Sequence, residues 1–346
     1  MTDLMFWQGF WFLAIGAALF VFVWLDGFDL GIGMNLPFFK THEHRLTALN
    51  VIWPVWDGNE LWGIIGAGSI FAAFPVVFAA LLSGLYPWVV LLILGLMLRP
   101  LAFEAWGHEP KSKKFWEWLF AFASFLIPFV TGVALGTTIA GMPINGQMVW
   151  DHTHHFWEAL SPLSVMTGIT GVALALLQGS AYLVKRTSGE LQAQARKDLT
   201  PRVLFAAVSL ILVIILICVG PGILAPKPFL VPGLVVGGLL ILGGLAAVGL
   251  GRREKASDAL AYWGSTAVIA GAFVLIGGVQ FPTMIRSTID PSFSLTIFEF
   301  GVSSPANSLA LMGWIAAVAL IITAVYTFFV YRVFKGKIDH NSNPHY

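Results

Sequence analysis

Four carboxylates stand in stretches that are otherwise almost free of charge. Asp26 and Asp29 lie in Leu25-Asp26-Gly27-Phe28-Asp29, and Asp57 and Glu60 in Trp56-Asp57-Gly58-Asn59-Glu60. Each pair is spaced i, i+3, which puts both acids on one face of a helix. An Asp at the centre of a membrane helix costs about 2.5–3.5 kcal/mol on insertion scales. The four are therefore expected to face the protein interior, where Arg99 can pair with one of them and Glu104 follows just beyond. Carboxylates crowded in a medium of low dielectric cannot all ionise at once, which suits groups that accept and release protons. One reading is a proton entry route; the other is an ion-pair and hydrogen-bond knot that fastens three helices. Spacing alone leaves both open.

Other chemistry finds little support. A haem inside a bilayer needs axial ligands, usually His. The eight histidines are His42, His44, His108, His152, His154, His155, His340 and His345, and each falls in a loop, at a helix end or in the tail. Met97, Met166 and Met312 lie in apolar runs, where Met is ordinary core filling. The run Asp151-His152-Thr153-His154-His155 has metal-ligand types but reads as a solvated loop. No phosphate-binding loop, dinucleotide fingerprint or H-E-x-x-H motif is present. The single Cys218 can neither close a disulfide within the chain nor hold an iron–sulfur cluster. These residues point to proton handling or a frame, with no redox centre in this chain.

The elements that position the acids are membrane helices. Of the 346 residues 58% are hydrophobic and only 11% charged, where a soluble domain keeps about a quarter charged. The mean hydropathy is +0.82. A formal net charge of +1 and the absence of a basic patch exclude a nucleic-acid partner. Asp3 and the length of the first apolar stretch read against a cleaved signal peptide. Helix-length apolar runs give nine expected spans in one polytopic domain: 7–35, 50–73, 75–105, 114–139, 156–184, 201–224, 229–251, 258–282 and 306–334. Pro75 suits the first turn of the third. With the N-terminus outside, alternation leaves all but two of the 19 Lys and Arg on the inner side; the exceptions are Lys227 and Arg286. Such a bias places the C-terminus in the cytoplasm. At 1.5 Å per residue the four acids and Arg99 then share a layer roughly 5–15 Å inside the cytoplasmic boundary. Gly27, Gly31 and Gly33, like Gly63, Gly66 and Gly68, read as close helix-packing faces.

Several of these segments resemble the second subunit of the cytochrome bd quinol oxidases. Asp26-Gly27-Phe28-Asp29-Leu30-Gly31-Ile32-Gly33 is similar to that family's opening signature. Pro54-Val55-Trp56-Asp57-Gly58-Asn59-Glu60-Leu61-Trp62 is the most specific match, and Arg99-Pro100-Leu101-Ala102-Phe103-Glu104 fits as well. Further likeness comes from Gln178-Gly179-Ser180-Ala181-Tyr182, from Arg186-Thr187-Ser188-Gly189-Glu190-Leu191, and from Phe281-Pro282 through Ser303-Ser304. The resemblance runs from about 7 to 334 and thins across the sixth and seventh spans.

It implies an all-α membrane fold of nine helices, arranged as two four-helix bundles plus a peripheral helix. It also implies a partner, the haem-bearing subunit I, with two haem b and one haem d. That partner oxidises quinol near the outer face and reduces oxygen to water, and small single-helix subunits can join the complex. Asp26, Asp29 and Asp57 stand at the positions of the family's proton route, with Glu60 at a position that varies. Some members hold a structural quinone in this subunit, which makes Trp56 a candidate contact. Arg286 stands where the family pattern has proline, and Glu299-Phe300-Gly301 replaces a small polar run. The competing classes are a proton-coupled secondary transporter, which should show repeated halves with helices broken near the midplane, and a purely structural membrane partner.

Overall fold

The computed structural model describes residues 2–108, 112–253 and 255–338; Lys111, His340, His345 and the side chain of His108 lie outside that description. Eleven α-helices are present among the described residues. They are α1 (Thr2–Asn35), α2 (His42–Ile52), α3 (Trp56–Ala73), α4 (Pro75–Gly84), α5 (Tyr86–His108), α6 (Lys113–Ala140), α7 (Pro162–Arg186), α8 (Gly189–Val219), α9 (Leu230–Gly251), α10 (Asp258–Gln280) and α11 (Ala306–Val333). A small antiparallel hairpin, β1 (Thr283–Ile285) with β2 (Leu295–Thr296), lies between α10 and α11.

Eight of these helices are long and apolar enough to cross a membrane, and the bent pair α3–α4 supplies a ninth crossing if it is one span. The expected spans are corrected at their edges, each time by an identifiable breaker. The run 50–73 divides at Trp53-Pro54-Val55, because proline has no N–H to donate and its ring crowds the carbonyl four residues back. The run 75–105 divides too. Pro75 opens α4 as expected, but α4 ends at Gly84 and Pro87 stands in the first turn of α5. A side chain at Gly84 would sit 2.2 Å from the Trp150 ring, so only glycine lets this turn tuck beneath that indole. The chain turns by 115° between α3 and α4. In the second half α7 starts at Pro162, behind a Ser161 hydroxyl that accepts from the Ser164 N–H at 3.0 Å. Helix α8 begins at Gly189, so the polar stretch before Pro201 extends the helix where a loop was expected.

Contacts between connections sort the chain into two ends. At one end Gln8 near the start of α1 donates to Ser303 at 2.8 Å, and Ser304 Oγ donates to Ala72 O at 2.7 Å beside the α3–α4 bend. There too the Met142 N–H donates to Arg286 O at 2.8 Å. A separate apolar cluster, including Trp11, Phe74, Leu85, Trp150 and Ile285, fills the space under these loops. At the other end Arg202 donates to Asn35 at 2.7 Å, Arg45 pairs with Glu117 at 3.6 Å, and Arg196 and Lys337 both reach Asp258. Arg186 donates to the carbonyls of Phe334 and Gly336, tying the C-terminal segment to the α7–α8 corner. Arg45, Arg186, Arg196, Arg202 and Lys337, which the sequence puts on one side, are thus tied into the same set of connections.

Candidate functional site

Helix α1 lies so close to α7 that a side chain at Gly31 would overlap Ala175 O at 1.9 Å. Beside it Phe28 is fully buried and stacks on Tyr182 with ring centroids 3.7 Å apart. This contact fixes the rotation of α1 and turns Asp26 toward α5 and Asp29 toward α3. Gly63 and Gly66 of α3 face Phe22 and Leu19 of α1, whereas Gly27 and Gly68 have open space around them. The close-packing expectation therefore holds for some of the glycines only.

Asp26 and Arg99 form a two-pronged ion pair: Nη1 donates to Oδ2 at 2.7 Å and Nη2 stands 2.6 Å from Oδ1. Both residues are essentially sealed, at 0% and 1% exposure. Glu60 approaches the same guanidinium at 3.7 Å, and the Trp56 ring covers it at 5.7 Å. Asp29 is held differently. Its Oδ2 accepts from Asn59 Nδ2 at 2.8 Å, while its buried Oδ1 has no hydrogen-bond donor among the described residues. Asn59 Oδ1 in turn accepts from the Tyr331 hydroxyl at 2.9 Å. One network thus joins α1, α3, α5 and α11.

Two expected members stand apart from it. Asp57 occupies the first turn of α3 and is exposed at the surface of this chain. Because α3 starts at Trp56, Asp57 is shallower than a span beginning at 50 predicts, and its carboxylate complements the N-terminal helix dipole. Glu104 is likewise exposed, one turn beyond the layer of Arg99. Conversely, Asn59 and Tyr331 belong to the network and were not singled out from the sequence. Asn59 sat inside the most specific motif. Tyr331 lies 272 residues further along the chain and gives no local signal.

A shallow dent lies between Trp56, Arg99, Pro100, Phe103 and Phe120, too tight to admit even a water molecule. Ordinary ligand pockets run from about 300 to 1,000 Å³, so these residues do not enclose a quinone here. In the other loop His154 Nδ1 lies 2.6 Å from Glu158 and Asp151 accepts from Thr153; no three His, Cys, Asp or Glu side chains among the described residues converge on a metal position.

The profile of the family described as cytochrome bd terminal oxidase subunit II matches residues 7–334. The chain belongs to this family. It is 30% identical to the cytochrome bd ubiquinol oxidase subunit 2 of Bacillus subtilis (strain 168), over 95% of this chain and 96% of that one. It is 29% identical to the cytochrome bd-I ubiquinol oxidase subunit 2 of Escherichia coli (strain K12), over 97% of each. The bd oxidase of Geobacillus thermodenitrificans shares the fold, with a TM-score of 0.74 over 97% of this chain and 100% of that one, at 17% identity. The chain is accordingly a multi-pass inner-membrane subunit of a quinol:oxygen oxidoreductase. As a cytochrome bd subunit II it carries the Asp26–Arg99 pair, Asp29 and Glu60 inside one helical cluster.

Proposed function

We propose that this chain is the haem-free subunit of the oxidase, that it braces the haem-bearing subunit I, and that it delivers protons from the cytoplasm toward the site of oxygen reduction. The observation that carries the reading is the imbalance of buried charge. One guanidinium serves three acids: Asp26 reaches both of its terminal nitrogens, Glu60 stands 3.7 Å from one of them, and Asp29 is close enough to feel its charge. The excess carboxylate is one that a bound proton can neutralise, and Asp29 keeps an oxygen to receive it. Asp26 and Arg99 hold α1 to α5, a structural part within the same site. Asp29 and Glu60 are the members that take up and pass on the proton, with Asp57 at the entrance.

The two haem b and one haem d belong to the partner. Among the described residues no His stands in the middle of a spanning helix. The N-terminus lies outside and the C-terminus in the cytoplasm, a reading supported by the bias of Lys and Arg along the sequence. Two four-helix bundles with α11 at the periphery fit the sparse packing of α11, whose most apolar window is only 11% buried. The exposed stripe Asp57, Leu61, Ile64 and Phe71 on α3, with Met97, Leu101 and Glu104 on α5, is where subunit I docks. An acid turned to lipid is costly, and a protein partner removes that cost. Quinol reacts on the partner; Trp56 shields Arg99 and holds a quinone only if its cleft widens. A transporter calls for matched broken helices in both halves, and among the described residues α7 to α11 carry no counterpart of the α3–α4 bend.

Affinity purification of the chain from gently solubilised native membranes tests the reading. A co-purifying chain with b- and d-type haem bands in the reduced-minus-oxidised spectrum, and quinol-driven oxygen uptake, is the expected outcome. A colourless lone chain without oxygen uptake would overturn it.

A further inference from the structure

The alternation of spans along the sequence assigns all but two of the Lys and Arg residues to one side, and the two exceptions, Lys227 and Arg286, come together in the structure. Lys227 and Arg286 line one shallow surface cleft, walled by Thr138 of α6, Ile223 of the α8–α9 connection and Gln280 of α10. Lys227 sits between Pro226 and Pro228, whose fixed φ angles hold this short segment in place. Its Nζ donates to Val279 O at 2.6 Å, and Arg286 Nη1 donates to Ala140 O at 3.4 Å. Both cations are half-buried. Neither joins any ion pair among the described residues. The acids of the same connection look elsewhere: Asp290 accepts from Ser292, and Glu299 is exposed.

Two like charges brought together, partly desolvated and without a carboxylate, are stabilised by an anion between them. The neighbourhood says which kind. Arg286 Nη2 lies against Gly222 of the α8–α9 connection, where a side chain would come within 3.1 Å. Immediately beside that connection Val219, Phe229 and Val231 are 70%, 53% and 67% exposed. Helix α8 packs on α7 and α9 on α10, with little contact between α8 and α9 themselves, and both carry exposed apolar side chains along their length, among them Ile211 and Ile215 on α8 and Val235 and Leu239 on α9. A charged head at the level of the helix ends with apolar surface beneath it is the shape of a lipid.

We propose that Lys227 and Arg286 bind the phosphate of an anionic phospholipid at this end of the bundle, with its acyl chains along α8 and α9. Burial and the charge of Arg286 hold the Lys227 ammonium below the usual lysine range, a strain that the phosphate relieves. A headgroup with its own cation offers less, so phosphatidylglycerol binds in preference to phosphatidylcholine.

Native mass spectrometry of the delipidated, detergent-solubilised oxidase complex tests this with added phosphatidylglycerol, phosphatidylcholine or inorganic phosphate. Wild-type complex is expected to retain phosphatidylglycerol selectively, with no displacement by millimolar phosphate. Lys227→Gln or Arg286→Gln should each weaken retention about fivefold and the double variant about twentyfold, while Arg286→Lys keeps most of it. Equal retention by wild type and the double variant would overturn the proposal, as would equal retention of the two lipids. Displacement by inorganic phosphate would show a soluble-anion site and overturn the lipid assignment. Loss of the partner chain from the variants, with no phosphatidylglycerol bound to wild type, would mean that a protein carboxylate fills the cleft. The wild-type comparison of lipids needs no substitution, so poor assembly of a variant leaves the test intact.

Discussion

The helix cluster α1–α3–α5 and the helix pair α9–α10 solve the same problem by different means. Within a bilayer no hydrophobic force pushes helices together, so association rests on polar contacts or on close packing. The first cluster uses charge: Asp26 with Arg99, Glu60 beside them, and Asp29 through Asn59 to Tyr331. The second uses shape. A side chain added at Gly278 would meet Gly233 Cα at 2.7 Å, one at Gly271 would meet Gly237 O at 2.6 Å, and one at Gly244 would meet Gly264 O at 2.6 Å. Ionic contacts can be protonated and can therefore be put to work in a reaction. Backbone contacts between glycines can only hold. On the proposed reading the charged cluster carries the chemistry and the glycine-packed pair gives support.

The largest effect that sharpens this contrast is expected at Arg99. Arg99→Met leaves Asp26 charged and unpaired in a sealed site, which should cost about 3–5 kcal/mol. The double substitution Arg99→Met with Asp26→Leu should recover most of that loss. Thermal denaturation of the purified complex measures both, and a double variant no more stable than the single one would show that the pair is not acting as a unit. Next comes Gly271→Val, where the added atoms meet the α9 backbone; overpacking of this kind costs about 1–3 kcal/mol. Gly277→Val in the same helix has open space and should be nearly silent. Similar melting temperatures for the two would break the shape argument for α9–α10. The smallest effect belongs to Tyr331→Phe, which removes one hydrogen bond to Asn59 and should cost about 0.5–1.5 kcal/mol. If proton delivery runs through this network, the variant should also change turnover while its haem spectrum stays intact.

The two regions differ just as much in what their sequence discloses. Asp26, Asp29, Glu60 and Arg99 are visible at once, since ionised groups are rare in membrane segments and their spacing assigns a helix face. That Asp57 turns outward is not visible, because it depends on where α3 begins. The apolar run reads through Pro54, and only the backbone break there puts Asp57 in the first turn. The breakers Gly84 and Pro87 were likewise in plain view between α4 and α5, but high hydropathy on both sides masked them. For α9 the glycine content was legible and the partner was not. Gly233, Gly237 and Gly244 find their counterparts on α10 only after folding. Tyr331 shows the same limit from the polar side: its role rests on a contact across 272 residues.

The most direct test of the central claim is Asp29→Asn in the assembled oxidase, with quinol-driven oxygen consumption and cytoplasmic-side proton uptake measured together in proteoliposomes. Asparagine keeps the shape of the side chain but removes the carboxylate that would carry the proton. The proton-delivery account predicts a complex that assembles with its normal haem spectrum and turns over roughly tenfold or more slowly, equivalent to about 1.4 kcal/mol or more on the limiting step. A variant that assembles and consumes oxygen and protons at the wild-type rate would contradict it and leave Asp29 as part of a structural knot.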